Sequence, residues 1–260
     1  MGGTLAKQLE KAKKKGVTNL NLMGKSVREL PPNIGELEQL ERLNLGCNLL
    51  LYVPPEIGNL RALESLNLYN NKLKELPQEI TNLSNLAELN LSINKLKELP
   101  RGMGSYNHLR FLDLSKNELT ELTPQIGLLT TLVELYISFN KLRTLPPEIG
   151  RCVNLEKLML GSNELIYLPT EIGALVKLYS LDLSSNKLAL LPPEMSNLDK
   201  LTDFSVSLNP LVEELHNQAK EGRASLFAFL ATDEYDQLYF TRIKDITDAE
   251  EKITDQDKEY

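Results

Sequence analysis

Catalytic chemistry requires nucleophiles, metal ligands or phosphate cradles in a working arrangement, and this chain of 260 residues shows none: its 36 carboxylates are plentiful but read as a solvated surface. Neither of its two histidines, His108 and His216, lies in a metal-like spacing with its two cysteines, Cys47 and Cys152, or with carboxylates, so a zinc site has little support. The sequence contains no G-x-S-x-G elbow, Walker-type loop or G-x-G-x-x-G turn. The acidic segment DITDAEEKITDQDKEY, residues 245–260, has the carboxylates of a calcium loop without its central glycine or its ligand spacing. The chain therefore reads as a non-enzyme, with no cofactor and no metal. Two other residue sets do carry chemistry, and it is the chemistry of recognition. Asparagine recurs at Asn48, Asn71, Asn94, Asn117, Asn140, Asn163, Asn186 and Asn209, each 23 residues after the last. A carboxamide donates and accepts at once, which suits it to bonding buried backbone. Large side chains at Tyr69, Ile93, Phe111, Tyr136, Phe139 and Met159 are interleaved with Glu88, Asn90, Asp113, Lys116, Glu134 and Lys157. An aromatic centre ringed by polar and charged groups has the make-up of a protein-binding hot spot.

The elements that must position these residues follow from the repeat itself. Around each asparagine runs the frame L-x-x-L-x-L-x-x-N-x-L-x-x-L-P-x-x-I-G-x-L, clearest in LVELYISFNKLRTLPPEIGRC, residues 132–152. An earlier unit beginning at Val17 fits with Lys25 in the asparagine place, giving nine repeats over residues 17–211. The L-x-L pair has strand period and turns two leucines inward. A single strand cannot bury them, so the units must stack into a parallel sheet over a shared core. The half-repeat with proline and glycine opposes long helix and predicts extended chain or short helical turns on the outer side. The predicted fold is an α/β leucine-rich-repeat solenoid, a horseshoe whose concave face is the sheet. At about 4.8 Å per strand, nine strands span about 40 Å. Three places bend the frame: Thr123 stands where proline is usual, with Pro124 one place late, and Tyr106 and Cys152 replace the outer leucine.

The ends need covers. Leu5 and Leu9 lie one helical turn apart before Gly16, predicting an N-terminal cap helix over residues 1–16. After Asn209-Pro210 the frame dissolves, and helical spacing from Ala219 to Arg242 predicts a helical cap over residues 212–244. Residues 245–260 are acidic and nearly free of large apolar groups, so they are expected to be a disordered tail. A formal net charge of −7 argues against a nucleic-acid partner. No apolar run is long enough to span a membrane, and MGGTLAKQLEKAKKKG lacks the core of a signal peptide, so a cytoplasmic location is expected. Gly2 and the five lysines Lys7, Lys11, Lys13, Lys14 and Lys15 would suit acylation and attraction to anionic lipid at the plasma membrane, but Ala6 stands where serine or threonine is preferred. A lysine-rich cap helix is the simpler reading. Nothing in the sequence indicates a homo-oligomer.

With the opening leucine of each repeat counted as position one, positions three, five, seven and eight face the hollow of the arc. The candidate partner-binding residues occupy those positions in repeats three to seven. The frame L-P-x-x-I-G-x-L resembles the intracellular Ras-associated group of leucine-rich-repeat proteins. TLAKQLEKAKKKG is similar to the opening helix of the Ras-suppressor family, and the stretch from Asn209 to Ile243 resembles its closing segment through Thr232, Glu234, Tyr235, Leu238 and Tyr239. That resemblance implies a scaffold or adaptor that holds a LIM domain of the adhesion adaptor PINCH on its concave face, in adhesion or Ras-type signalling. Asp113, Tyr136 and Tyr69 sit where the family carries Asp, Tyr and an aromatic residue. Gly161 departs from it, standing where the family carries a basic residue, and so do the uniform repeat lengths. The alternative is a regulatory subunit that binds a phosphatase or a small GTPase.

Overall fold

The computed structural model describes residues 2–257, with side chains described from 5 to 248. Nine three-residue strands form one parallel sheet in chain order: β1 Asn19–Asn21, β2 Arg42–Asn44, β3 Ser65–Asn67, β4 Glu88–Asn90, β5 Phe111–Asp113, β6 Glu134–Tyr136, β7 Lys157–Met159, β8 Ser180–Asp182 and β9 Asp203–Ser205. Each residue pairs with the one 23 positions later, as Leu89 does with Leu112 and Leu112 with Leu135. The inward leucines are fully packed: Leu112 and Leu114 are both 0% exposed. The architecture is the leucine-rich-repeat solenoid expected from the frame.

Opposite the strands, the L-P-x-x-I-G segments form short 3-10 turns such as Pro55–Asn59, Pro124–Leu128 and Pro147–Arg151. Proline just inside the start supplies the required φ, and the isoleucine of each turn drops into the core. The glycine after it allows successive turns to touch: a methyl at Gly127 would sit 2.5 Å from the carbonyl oxygen of Glu148 in the next repeat.

The asparagines bond backbone rather than each other. The Nδ2 of Asn140 donates to Ile137 O at 2.9 Å and to Leu114 O of the preceding repeat at 3.0 Å. Its Oδ1 accepts the Leu119 N–H, also from the preceding repeat, at 3.0 Å. The same pattern recurs from Asn48 to Asn209. Two of the irregular positions do comparable work on the outer side. The buried Tyr106 hydroxyl donates to Ile80 O at 2.9 Å, and the buried Cys152 thiol donates to Ile126 O at 3.2 Å. Burial pushes the Cys152 thiol up to about 11. Thr123 caps its turn by accepting the Gln125 N–H.

Helix α1, Gly2–Lys14, covers the first repeat with Leu9 and Ala12 and ends before the left-handed Gly16, φ 59°. Gly2, the candidate acylation site, opens this helix, and Lys13 pairs with Glu36 at 3.0 Å. At the other end three helices, α2 Glu213–Glu221, α3 Arg223–Leu230 and α4 Asp233–Asp257, replace the continuous helical stretch expected from spacing alone. Gly222, φ 110°, separates the first two, and Thr232 Oγ1 accepts the Tyr235 N–H at the start of the third. Residues 245–257 continue α4, and the last three residues of the expected disordered tail lie outside the described residues. The acidic first turn of α4 suits a helix N-terminus, and Ile243 and Ile246 rest against the core further along, so the helix runs on past residue 244.

Tyr235 closes the solenoid: its hydroxyl donates to Leu191 O at 2.7 Å and accepts the Leu191 N–H at 3.1 Å. Replacing Asn140 by Ala orphans the buried Leu119 N–H and leaves Leu114 O and Ile137 O with only the Asn117 and Asn163 donors, and is expected to lower unfolding free energy by about 1–3 kcal/mol in urea titration. Tyr235→Phe orphans both backbone groups of Leu191 and should cost a similar amount, about 1–3 kcal/mol, in the same measurement. A loss below about 0.3 kcal/mol in either variant would remove that bond set from the account of stability.

Candidate protein-recognition surface

The register of the sheet lays the candidate residues out as rows. Glu88, Phe111, Glu134 and Lys157 stand side by side at position three of β4 to β7, and Asn90, Asp113, Tyr136 and Met159 do so at position five. None of the twelve is in the core: Glu88, Lys116 and Phe139 are exposed and the rest are half-buried. Tyr69 and Ile93 lie on the β3 and β4 side of this field.

Four residues from three neighbouring strands form a connected cluster. The rings of Phe111 and Tyr136 meet at 5.6 Å between centroids, tilted by 45°. Glu134 holds both neighbours: its Oε2 accepts the Tyr136 hydroxyl at 2.7 Å and its Oε1 accepts Lys157 Nζ at 3.2 Å. Desolvation, and then the bond to Glu134, raise the Tyr136 phenol above its ordinary range, so it stays a neutral donor at physiological pH. Lys157 also lies 5.8 Å from the ring centroid of Tyr179. Hydrogen bonding to Tyr179, and then to Glu134, holds its ammonium above the usual range. Beside the ring pair a hollow of about 410 Å³ is lined by Glu88, Arg110, Phe111, Val133 and Glu134. Arg110, Val133 and Tyr179 belong to this surface although the reading of positions three, five, seven and eight passes over them. They stand at position two, just before each strand, a place the frame leaves free.

Position five does two jobs. The side-chain oxygens of Asn90 and Asp113 accept the N–H two residues on, Ser92 at 3.0 Å and Ser115 at 2.9 Å. Asn44, Asn67 and Asp182 make the same bond in their repeats. These two candidates thus serve the turn with one oxygen and offer the remainder to a partner. Tyr136 and Met159 have no acceptor that can reach back in this way, so β6 and β7 forgo the turn bond where the apolar cluster sits. At Gly161, where the resemblance implies a basic residue, a Cβ would meet the Asp182 carboxylate, which would have to shift to admit a side chain.

Position eight carries a backbone constraint. From Cys47 to Leu208 every residue there has φ between 52° and 59°, the left-handed region. Glycine and asparagine enter it readily, whereas other L-residues are strained by about 1–2 kcal/mol. Yet Ile93, Lys116 and Phe139 fill it in three successive repeats, with Lys116 Nζ 5.3 Å from the Phe139 ring centroid and Phe139 itself 55% exposed. Strain of this kind, retained on an exposed apolar side chain, points to a role outside the fold. Phe139→Asn should therefore leave unfolding free energy unchanged or raise it by up to about 1.5 kcal/mol, because relief of the backbone by about 1–2 kcal/mol outweighs the lost contact with Lys116, itself worth about 0.5–1 kcal/mol. Thermal unfolding checks this, and a loss above about 2 kcal/mol would show Phe139 to be a packing residue.

Among the described residues no group of three His, Cys, Asp or Glu is placed to hold a metal ion, and no helix is long and apolar enough to cross a membrane. The family profile described as leucine rich repeat matches residues 38–96, 61–119 and 130–188. Comparison with curated protein sequences gives no match. Solved structures similar to this chain include a leucine-rich-repeat protein of Leptospira interrogans, 30% identical over 80% of this chain and 66% of that one, with a TM-score of 0.50. The plant peptide hormone receptor RGFR1 in complex with RGF2 is 30% identical over 76% of this chain and 34% of its own, with a TM-score of 0.68. The functional domain of InlJ from Listeria monocytogenes, which includes a cysteine ladder, is 27% identical over 80% and 47%, with a TM-score of 0.58. The chain thus spans less than two thirds of the length of each of these relatives.

Proposed function

Because the chain belongs to the leucine-rich-repeat family, we propose that it is a non-catalytic scaffold whose concave face grips a folded domain of another protein. The Phe111–Tyr136 ring pair carries this reading. It is half-buried without being core, and it is pinned from one side by Glu134 and Lys157. A rigid aromatic anchor held by a satisfied polar frame loses little conformational entropy when a partner covers it, which favours tight association. The receptor in complex with RGF2 supports the use of such a surface for a protein or peptide ligand. The similarity of both chain ends to the Ras-suppressor family favours a LIM domain of the PINCH type as the partner, within adhesion or Ras-type signalling. The cytosol is the compartment in which such a partner would be met.

Titration calorimetry with a purified PINCH-type LIM domain is the direct test. A saturable complex is expected, and Tyr136→Ala and Phe111→Ala should each weaken it by about 2 kcal/mol or more. The same titrations with a GTP-loaded Ras-type GTPase and with a phosphatase catalytic chain examine the alternative regulatory role. Binding to one of those and not to the LIM domain would replace the adaptor reading. Full affinity in both aromatic variants would remove the concave cluster from the interface.

A further inference from the structure

We propose that the cleft between β9 and the C-terminal helices is a second binding site, built to take an extended peptide segment of a partner in which apolar and acidic residues alternate. The cleft measures about 420 Å³, and its walls include Phe204, Val206, Leu208, His216, Lys220 and Arg223. Three independent features lead to this occupant.

The first is the edge. Among the described residues the sheet ends at β9, which pairs with β8 on one side and with no strand on the other. An edge strand presents alternate N–H and C=O groups outward, and an added strand satisfies them. The second is the apolar wall. Phe204 stands in the strand place that holds leucine in every other repeat, half-buried and edge-on to Phe227 at 5.5 Å. Leu208 is 79% exposed, more than any other large hydrophobic among the described residues, and it holds the left-handed conformation with φ 57°. Neither its exposure nor its backbone helps the fold, and its methyl groups border the cleft.

The third feature is charge. Lys220, Arg223 and His216 line the cleft, and no carboxylate does. Elsewhere Lys13, Lys141, Lys157, Lys187 and Arg242 sit 2.7–3.7 Å from carboxylate oxygens. Arg223 instead lies over the Phe227 ring at 5.1 Å, which holds the guanidinium at the rim with its donors available. In a chain of net charge −7 this is a local reversal of sign. It selects a partner segment whose carboxylates alternate with the apolar side chains that meet Phe204 and Leu208, which is the period of a β-strand. Nucleic acid offers no apolar alternation, and a second copy of β9 brings the same cations.

The probes are three fluorescein-labelled pools of acetylated hexapeptides in which apolar residues alternate with Asp/Glu, with Lys or with Ser, titrated with the full chain by anisotropy. The acidic pool is expected to bind at least tenfold more tightly than the other two. Lys220→Glu together with Arg223→Glu should weaken it at least tenfold at unchanged melting temperature. Leu208→Asn should weaken it while keeping or raising the melting temperature, opposite signs that a purely structural leucine would not give. Backbone N-methylation of the acidic peptides should abolish binding. Equal affinity of the acidic and lysine pools, no binding by any pool, or loss of binding in Phe111→Ala rather than in the cleft variants would overturn the proposal. So would a concentration-dependent dimer that Leu208→Asn dissolves.

Discussion

After three residues of strand the chain must turn, and the turn leaves backbone N–H and C=O groups facing an interior with no water. The rest of the structure depends on how that polarity is absorbed. One carboxamide per repeat does it, by donating to its own turn and to the turn one repeat back, and by accepting an N–H from that same earlier repeat. Because one side chain bonds to fixed places in two repeats, it sets the distance between them. Inserting a single residue would break these bonds and would also rotate the leucines of that strand to the wrong face. The uniform 23-residue period is thus a hydrogen-bonding requirement as much as a packing one. On the outer side Tyr106 and Cys152, standing in leucine places, each add a donor aimed at a carbonyl of the preceding repeat.

The sheet, its strand order, the asparagine bonds and the outer turns were all legible from the chain, since each rests on a period that repeats often enough to exclude chance. What escaped the period was what happens once. The breaks at Gly222 and Thr232 divide the C-terminal cap into three helices because of backbone conformation and a single hydroxyl cap, neither of which alters hydrophobic spacing. Helix α4 runs past residue 244, because a helix already nucleated and docked carries through a polar stretch that could not start one. At the candidate surface, the row positions of Phe111, Tyr136 and Lys157 followed from strand alternation. The bonds of Tyr136 and Lys157 to Glu134 did not, because side-chain hydrogen bonds between positions three and five of one strand, or between position three of neighbouring strands, depend on rotamers. Tyr179 was missed for a related reason: it precedes its strand, and it reaches the cluster through Lys157.

Positions between the inward leucines are often treated as equally free, and here they are not. The side-chain bonds of position three run to other side chains of the concave face, such as Lys157 to Glu134 and Ser180 to Asp203, so it is the freest to follow a partner. Position five normally holds the turn, as Asn90 and Asp113 do, and position eight is bound to the left-handed region. A large side chain at either place sacrifices a hydrogen bond or accepts strain. Tyr136 and Met159 do the first, while Ile93, Phe139 and Leu208 do the second, and every one of them is outside the core. A binding surface on such a scaffold is marked most clearly where the scaffold itself would have chosen otherwise.

The same distinction separates structure from recognition at the C-terminal end. Closing the solenoid requires that the last leucines be covered and the last turn's backbone be satisfied. Tyr235 satisfies Leu191, and Leu226 and Leu230 bury against the core, so that requirement is met on the outer side of the cap. The strand side is finished differently, with an open edge, an exposed leucine and cations free of carboxylates. A cover whose only task was to hide hydrophobic surface would have no reason to stop short of β9, nor to gather positive charge at the gap in a chain with an acidic surplus. The cap therefore ends the fold along one face and leaves the other shaped for a further strand, which makes the end of this solenoid a place where a partner can continue the sheet.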